Sequence, residues 1–137
     1  MKTKPFLSQL AALVVVAAIF YASYGATNAL ASARANVPEI YFAWECALPF
    51  WAWSIVPYWS LNLLYALGFF LCRGVGELAR YVTQLLVAQM IATLFFIAFP
   101  LQISWEKPAV SGLSGFLFSS LAAFDLPFNQ APSLHII

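Results

Sequence analysis

Residues 81–99 read YVTQLLVAQMIATLFFIAF, a stretch without a charged side chain that is followed directly by Pro100. About 20 consecutive apolar residues are needed for an α-helix to cross the hydrocarbon core of a bilayer. The stretch therefore predicts a membrane-spanning helix that stops at Pro100, because a residue before proline avoids helical backbone angles. Its polar members Gln84 and Gln89 are expected to face protein, since an unpaired amide in hydrocarbon is costly.

Two stretches nearer the start of the chain have the same character. Residues 6–24 form an apolar run after Lys2 and Lys4, and residues 50–72 form a second run that opens with clustered Trp, Tyr and Phe. Such aromatic residues are typical of the boundary between membrane and water. Pro57 lies inside the second run, where it is expected either to kink the helix or to reset its start.

The first run also has features of a secretory signal peptide. Residues 29–31 and 31–33 read ALA and ASA, and such small residues suit a signal cleavage site. The apolar run is longer than the core of a usual signal peptide, which favours a retained span. Under either interpretation the chain emerges on the outer side after Tyr24.

The overall composition also indicates a membrane protein. Hydrophobic residues make up 64% of the 137 residues and charged residues only 8%, whereas about a quarter of a soluble domain is charged. The net charge of +1 gives no case for nucleic-acid binding. Cys46 and Cys72 lie at opposite ends of the second span and are expected to be free thiols. The single histidine has no neighbouring ligands, so we predict neither a metal site nor another cofactor.

We therefore predict an all-α fold, a single integral membrane domain built as a helical bundle. About three transmembrane helices are expected, at residues 6–24, 50–72 and 81–99. Gly74 and Gly76 are expected to break the helix between the second and third spans. Residues 113–124 are too short to span but repeat apolar residues at helical spacing, which predicts a short interfacial helix. A buried turn packed against the spans would show the same pattern.

Basic residues determine the predicted orientation, because loops rich in Lys and Arg stay on the cytoplasmic side. One side carries Lys2, Lys4, Arg73 and Arg80, and the other carries Arg34 and Lys107. The richer side is expected to be cytoplasmic. The amino terminus then lies inside a plasma or inner membrane, and the chain after the third span lies on the outer face.

Side chains suited to chemistry cluster in the loops at residues 100–112 and 125–137. Pro132 could open a helix, and the backbone N–H groups that follow, including that of Leu134, would then attract a phosphate. Ser133 adds a hydroxyl donor, and His135 adds a group that exchanges a proton near neutral pH. Lys107 supplies a cation. Together these groups are parts of a phosphate-ester site.

The same residues also have a simpler interpretation. A four-residue motif can occur by chance, and a histidine at a helix start often serves only as a cap or a surface residue. Lys107 can anchor the end of the third span at the lipid headgroups.

The stretch PFNQAPSLH at residues 127–135 resembles the second signature of the type 2 phosphatidic acid phosphatase (PAP2) superfamily, most closely in its inositol phosphorylceramide synthase branch. Residues 99–108 resemble a divergent first signature, and residues 49–58 resemble the second span of that branch. The similarity covers most of the chain from about residue 47 onward. It implies a helical-bundle membrane enzyme that cleaves or transfers phosphate groups of lipids without a metal.

The resemblance also implies roles for individual residues. Lys107 and Ser133 would bind the phosphate of a phospholipid, polyprenyl or sphingolipid substrate, and His135 would protonate the leaving group. The chain departs from the family pattern in two places of the first signature, where Lys107 replaces the usual Arg and Pro100 replaces the usual Lys. A third signature, which supplies an Arg, a nucleophilic His and its carboxylate partner, is not found in the sequence.

We therefore expect an incomplete PAP2-like core, the amino-terminal part of a lipid phosphatase or phosphotransferase that is inactive by itself. A carboxy-terminal half would be its partner, together with membrane lipids. The alternative is a non-enzymatic small membrane protein, such as a subunit or an assembly factor.

Overall fold

The computed structural model describes residues 5–39, 49–102 and 109–122, and the single residues Trp44, Ala47 and Phe128. Within these residues the chain forms four α-helices and no β-strand, which confirms the predicted all-α helical bundle. The helices are α1 (Pro5–Ser32), α2 (Ile55–Leu71), α3 (Val75–Ala98) and α4 (Gly112–Ala122), and a 3₁₀ turn at Ala52–Ser54 leads into α2.

Three of these elements have the length and the composition of membrane spans. They are α1, α3, and α2 together with its leading 3₁₀ turn. Large apolar side chains such as Val14, Leu63 and Leu94 are exposed on their outer surfaces. A water-soluble protein of this size would bury many of these groups, whereas lipid accommodates them without cost. The chain is therefore an integral membrane protein.

The first helix is longer than predicted. It continues past Tyr24 as far as Ser32, through a segment that contains polar residues. Thr27 donates its hydroxyl hydrogen to the backbone carbonyl of Ser23 or Tyr24 on its own helix. Thr27 and Ala31 are both buried, so packing against the rest of the bundle carries the helix past the end of the apolar run.

The third helix also begins earlier than predicted, at Val75 instead of Tyr81. Gly74 is the last residue of the turn before the helix. Gly76 lies within the first helical turn, so the prediction that Gly76 breaks the helix is wrong. The Glu77 carboxylate accepts a hydrogen bond of 2.8 Å from the backbone N–H of Arg73. An acidic group at this position stabilises a helix start, because it accepts a hydrogen bond from a free N–H and its negative charge is attracted to the positive end of the helix dipole.

Pro57 lies in the first turn of the second span. Pro57 is the third residue of α2, where its missing N–H costs no hydrogen bond because first-turn donors have no partner within the helix. Pro57 is therefore at a reset helix start, and the alternative prediction of a kink is not needed.

Two long-range hydrogen bonds show which ends of the spans lie together. At one end of the bundle, the Gln9 side chain on α1 donates to the backbone carbonyl of Cys72 at a distance of 2.8 Å. At the other end, the Arg34 guanidinium donates to the backbone carbonyl of Ile97 near the end of α3, also at 2.8 Å. The start of α1 therefore lies beside the turn between α2 and α3, and the ends of α1 and α3 lie together. We call the first the turn end of the bundle and the second the loop end.

Helix α1 holds the bundle together by packing against both other spans. Phe6 stacks on Phe70 of α2 with ring centroids 5.6 Å apart, and Tyr24 meets Phe96 of α3 edge to face. Gln89 on α3 is buried and donates to the Ser23 hydroxyl at 2.6 Å, so its predicted orientation towards protein is confirmed. Gln84 is exposed, and its side chain borders the space between the three spans.

The short helix α4 packs at the loop end of the bundle. The Trp59 indole N–H of α2 donates to the Leu117 carbonyl at 3.4 Å, and the Phe50 and Phe118 rings lie 5.5 Å apart. Leu121 is buried, whereas Leu113 is 72% exposed. The predicted short helix is therefore present at Gly112–Ala122, and it also has the packing against a span that was expected of the alternative, a buried turn.

The structure describes one of the two cysteines. Cys72 is a free thiol, as predicted, and lies 3.3 Å from the Gly68 carbonyl, to which it can donate. Cys46 lies outside the described residues.

Candidate functional site

The predicted phosphate-site residues Lys107, Ser133, Leu134 and His135 all lie outside the residues that the structure describes. Their roles stay predictions. The structure does describe the residues on either side of Lys107. It also describes α4, the helix between the two candidate loops. These elements show where each loop begins.

The first candidate loop departs from a fixed point at the loop end of the bundle. Pro100 is buried just after α3. Two residues later, the Gln102 backbone N–H donates to the Pro38 carbonyl at 3.1 Å, and the Gln102 side chain donates to the Glu39 carboxylate at 2.8 Å. The chain after α3 is thus tied to the chain after α1, immediately before residues 103–108.

The loop returns through a tight turn at the start of α4. Gly112 has a φ of 71°, a backbone angle at which other L-residues are strained because of their Cβ atom. The Gly115 N–H donates to the Ser111 carbonyl at 3.4 Å. A Cβ atom at Gly115 would collide with the Val110 carbonyl, so this turn requires glycine at two positions.

The site framework therefore lies at one end of the bundle. Residues 100–102 leave from the end of α3, and α4 is held against the start of α2 by Trp59 and Phe50. The ends of α1 and α3 and the start of α2 all lie at this loop end. Any group in residues 103–108 is thus attached on both sides to the same end of the protein.

Arg34 is the basic side chain at the loop end among the residues that the structure describes, since Arg73 and Arg80 lie at the turn end. Its guanidinium uses one N–H group on the Ile97 carbonyl and is exposed. A guanidinium has five N–H donors in a planar fork that matches phosphate oxygens. Sequence reasoning counted Arg34 only towards orientation, because its proximity to the end of α3 is visible only in the fold.

Asn28 is a second polar residue of interest near the loop end. It is 1% exposed, and neither its amide nitrogen nor its amide oxygen has a hydrogen-bond partner among the described residues. A buried amide that is left unpaired costs about 1–3 kcal/mol. The apolar pattern of the first span gave no signal for this residue, since it lies beyond the end of the predicted span.

The chain matches no protein-family model, and comparisons with curated proteins and with solved structures find no similar protein. The resemblance to the phosphatidic acid phosphatases therefore depends on residues 49–58, 99–108 and 127–135 of the sequence itself.

Proposed function

We propose that the chain contributes part of a PAP2-like site that binds and transforms phosphate groups of membrane lipids. The observation that carries the proposal is the order of two signature-like stretches, residues 99–108 and 127–135, on either side of α4. The fold supports it, because α4 is packed back onto the loop end instead of extending away from it. Both stretches thereby follow elements that lie at the loop end of the bundle.

Chain length allows the proposed groups to meet. A fully extended chain spans at most about 3.6 Å per residue. Lys107 is two positions before Ala109, which the structure describes, so its backbone stays within about 7 Å of Ala109. Ser133 follows Ala122 by eleven positions, which gives a reach of up to about 40 Å. That reach exceeds the width of a helix, about 10 Å, so the second loop is long enough to return towards the first.

The chemistry follows from the residue types. The Lys107 ammonium would offset the negative charge of the phosphate, while the Ser133 hydroxyl and the Leu134 N–H would donate to its oxygens. The imidazolium of His135 would give a proton to the oxygen of the departing alcohol. The nucleophilic histidine and its partners would come from a carboxy-terminal segment that supplies the third signature. The phosphate would then pass to that histidine and on to water or another alcohol.

We further propose that the loop end faces outward from a plasma or inner membrane. Arg73 and Arg80 lie at the turn end, where Lys2 and Lys4 are also expected because they precede α1. Basic residues of short loops are retained on the cytoplasmic side. The lipid phosphate would then be handled in the outer leaflet.

Lipid binding tests the proposed function. Purified chain in neutral detergent is titrated with a short-chain phosphatidic acid, and the matching diacylglycerol serves as the ligand without phosphate. We expect Lys107→Gln to weaken binding of phosphatidic acid by about tenfold or more, since a charge-assisted hydrogen bond contributes about 1.5–3 kcal/mol. The matched control is Arg80→Gln, which removes the same charge at the turn end and should change affinity less than twofold or so.

Two results would contradict the proposal. Equal affinity for diacylglycerol would show that the phosphate is not recognised. Equal weakening by Lys107→Gln and Arg80→Gln would show a general charge effect, and the motif would then be coincidental, as expected for a non-enzymatic membrane subunit.

A further inference from the structure

A cavity of about 590 Å³ lies between the three spans. Its walls are mostly apolar and include the rings of Phe20 and Phe69. None of the described lining residues is charged, but the side chains of Asn62 on α2 and Gln84 on α3 both border the space. Ligand sites between helices of a bundle commonly have this character, with an apolar wall, a few polar groups and a volume of about 300–1,000 Å³.

The two amides lie at the same depth in the membrane. Asn62 is nine residues before the end of α2, and Gln84 is nine residues after the start of α3. Since α2 and α3 run in opposite directions from one short turn, each amide is about 14 Å from the turn end. The hydrocarbon core is about 30 Å thick, so both amides lie near its middle.

These amides have no hydrogen-bond partner among the residues that the structure describes, and both are exposed. Other polar groups of the cavity differ, because Gln89 donates to Ser23 and Tyr81 donates to the Tyr65 carbonyl. An unpaired amide in hydrocarbon costs several kcal/mol. Lipid chains alone cannot lower that cost, whereas an occupant with hydrogen-bonding capacity can.

The surroundings restrict the chemistry of the occupant. A charged molecule is disfavoured, because no described lining residue carries an opposite charge at this depth. Lipids with hydroxyl or phosphate groups keep those groups at the membrane surface. A carbonyl group only accepts hydrogen bonds, and the amide NH₂ groups of Asn62 and Gln84 can donate to it.

We propose that this cavity binds an uncharged, membrane-soluble molecule whose carbonyl group is held by Asn62 and Gln84 at mid-membrane depth. Two kinds of lipid provide such a carbonyl, quinones with an alkyl or isoprenoid chain and long-chain esters. Phe20 and Phe69 would contact the apolar body of either one. This proposal does not depend on the phosphate site, which is at the loop end.

The test measures equilibrium binding of radiolabelled probes to the full chain in lipid nanodiscs. The probes are an alkyl-substituted benzoquinone and a long-chain alkyl ester, and an alkylbenzene with the same chain is the probe without a carbonyl. We expect saturable binding of the quinone or the ester, and the stronger binder identifies the source of the carbonyl. The alkylbenzene should only partition into the lipid without saturation.

Variants test whether the amides hold the carbonyl. We expect Asn62→Leu and Gln84→Leu each to weaken binding by about fivefold, as loss of a single hydrogen bond implies. Thr83→Val is the matched control, because Thr83 is exposed beside Gln84 but bonds to the Ala79 carbonyl of its own helix. Its affinity should be unchanged. Helical content and elution volume confirm that each variant is folded.

Three results would overturn the proposal. The first is saturable binding of the alkylbenzene with the same affinity, and the second is unchanged affinity in both leucine variants. The third is absence of saturable binding of both carbonyl probes. If either leucine variant then converts a dimer to a monomer, the cavity is a surface for a second copy of the chain.

Discussion

The phenol ring of Tyr81 on α3 lies directly against Gly68 on α2, so that a Cβ atom at position 68 would be 2.7 Å from the ring carbon that carries the hydroxyl. The same hydroxyl donates to the Tyr65 carbonyl at 2.9 Å, and the ring meets Phe69 edge to face with centroids 5.0 Å apart. Small residues allow helices in membranes to approach closely. Gly68 therefore has a packing role, and it is the point where α2 and α3 approach each other.

Gly68→Ala is expected to destabilise the bundle by about 1 kcal/mol. The alanine methyl would displace Tyr81 and cost about 1–3 kcal/mol through overpacking, which exceeds the gain of about 0.5–1 kcal/mol from replacing glycine in a helix. Gly25→Ala is the matched control, because a Cβ atom there meets no atom within 4 Å. We expect it to stabilise the protein slightly. Unfolding of both variants is measured in detergent micelles by circular dichroism.

A double variant identifies the cause. When Tyr81→Ala has already removed the ring, Gly68→Ala should no longer be destabilising, since the methyl group then has space. An unchanged penalty in that background would mean that the close contact with Tyr81 does not determine the need for glycine.

The buried amides Asn28 and Gln89 should respond in opposite ways to replacement by leucine. Asn28 has no partner among the described residues, so Asn28→Leu is expected to leave stability unchanged or raise it by up to about 1 kcal/mol. Gln89 donates to Ser23 and Thr93, so Gln89→Leu should lower stability by about 1–2 kcal/mol. Thermal unfolding of the two variants, measured side by side, checks the contrast. Strong destabilisation by Asn28→Leu would show that its amide is paired in the membrane.

Much of the fold could be predicted from the sequence, because an uncharged run such as residues 81–99 has few alternatives to a membrane span. Helix ends were less predictable. Thr27 and Asn28 look like loop residues, yet α1 continues through them because they are buried in the bundle. Gly76 looks like a helix breaker, but glycine costs a helix only about 0.5–1 kcal/mol relative to alanine. The neighbouring Glu77 stabilises the start of α3 by accepting a hydrogen bond from the Arg73 N–H.

The two candidate sites differ in how far sequence alone could reveal them. The phosphate site depends on adjacent residues of a short motif, such as Ser133 and His135, and motifs of this kind can be read without a fold. The mid-membrane cavity depends on Asn62 and Gln84, which are 22 positions apart in the sequence. Their equal distance from the turn between α2 and α3 becomes apparent only when both helix boundaries are known.

Turnover of lipid phosphate gives a separate prediction. The sequence contains one histidine, His135, and the proposed role of that histidine is to protonate the leaving group. No histidine is then left to attack the phosphorus atom, so the purified chain should release no phosphate from phosphatidic acid above the rate in protein-free micelles. Release that is robust and disappears in His135→Ala would contradict this division of roles, because His135 would then be sufficient for catalysis.

Membrane orientation can be tested with single cysteines at the two ends of the bundle. Ser111 lies just before α4 at the loop end, and Gly76 lies in the first turn of α3 at the turn end; both are exposed. In a chain whose native cysteines are replaced by serine, Ser111→Cys should react with a membrane-impermeant maleimide on intact cells. Gly76→Cys should react only after the membrane is opened, because Arg73 and Arg80 beside it favour the cytoplasmic side.

Labelling of both variants in opened membranes is the control for reactivity, so that a negative result on intact cells reports location and not a buried thiol. The reverse pattern would place the loop end, and residues 103–108 with it, in the cytoplasm. A lipid phosphate would then have to be reached from the inner leaflet. The packing of α4 against α2 would be unaffected, since the Trp59 and Phe50 contacts do not depend on which side of the membrane they face.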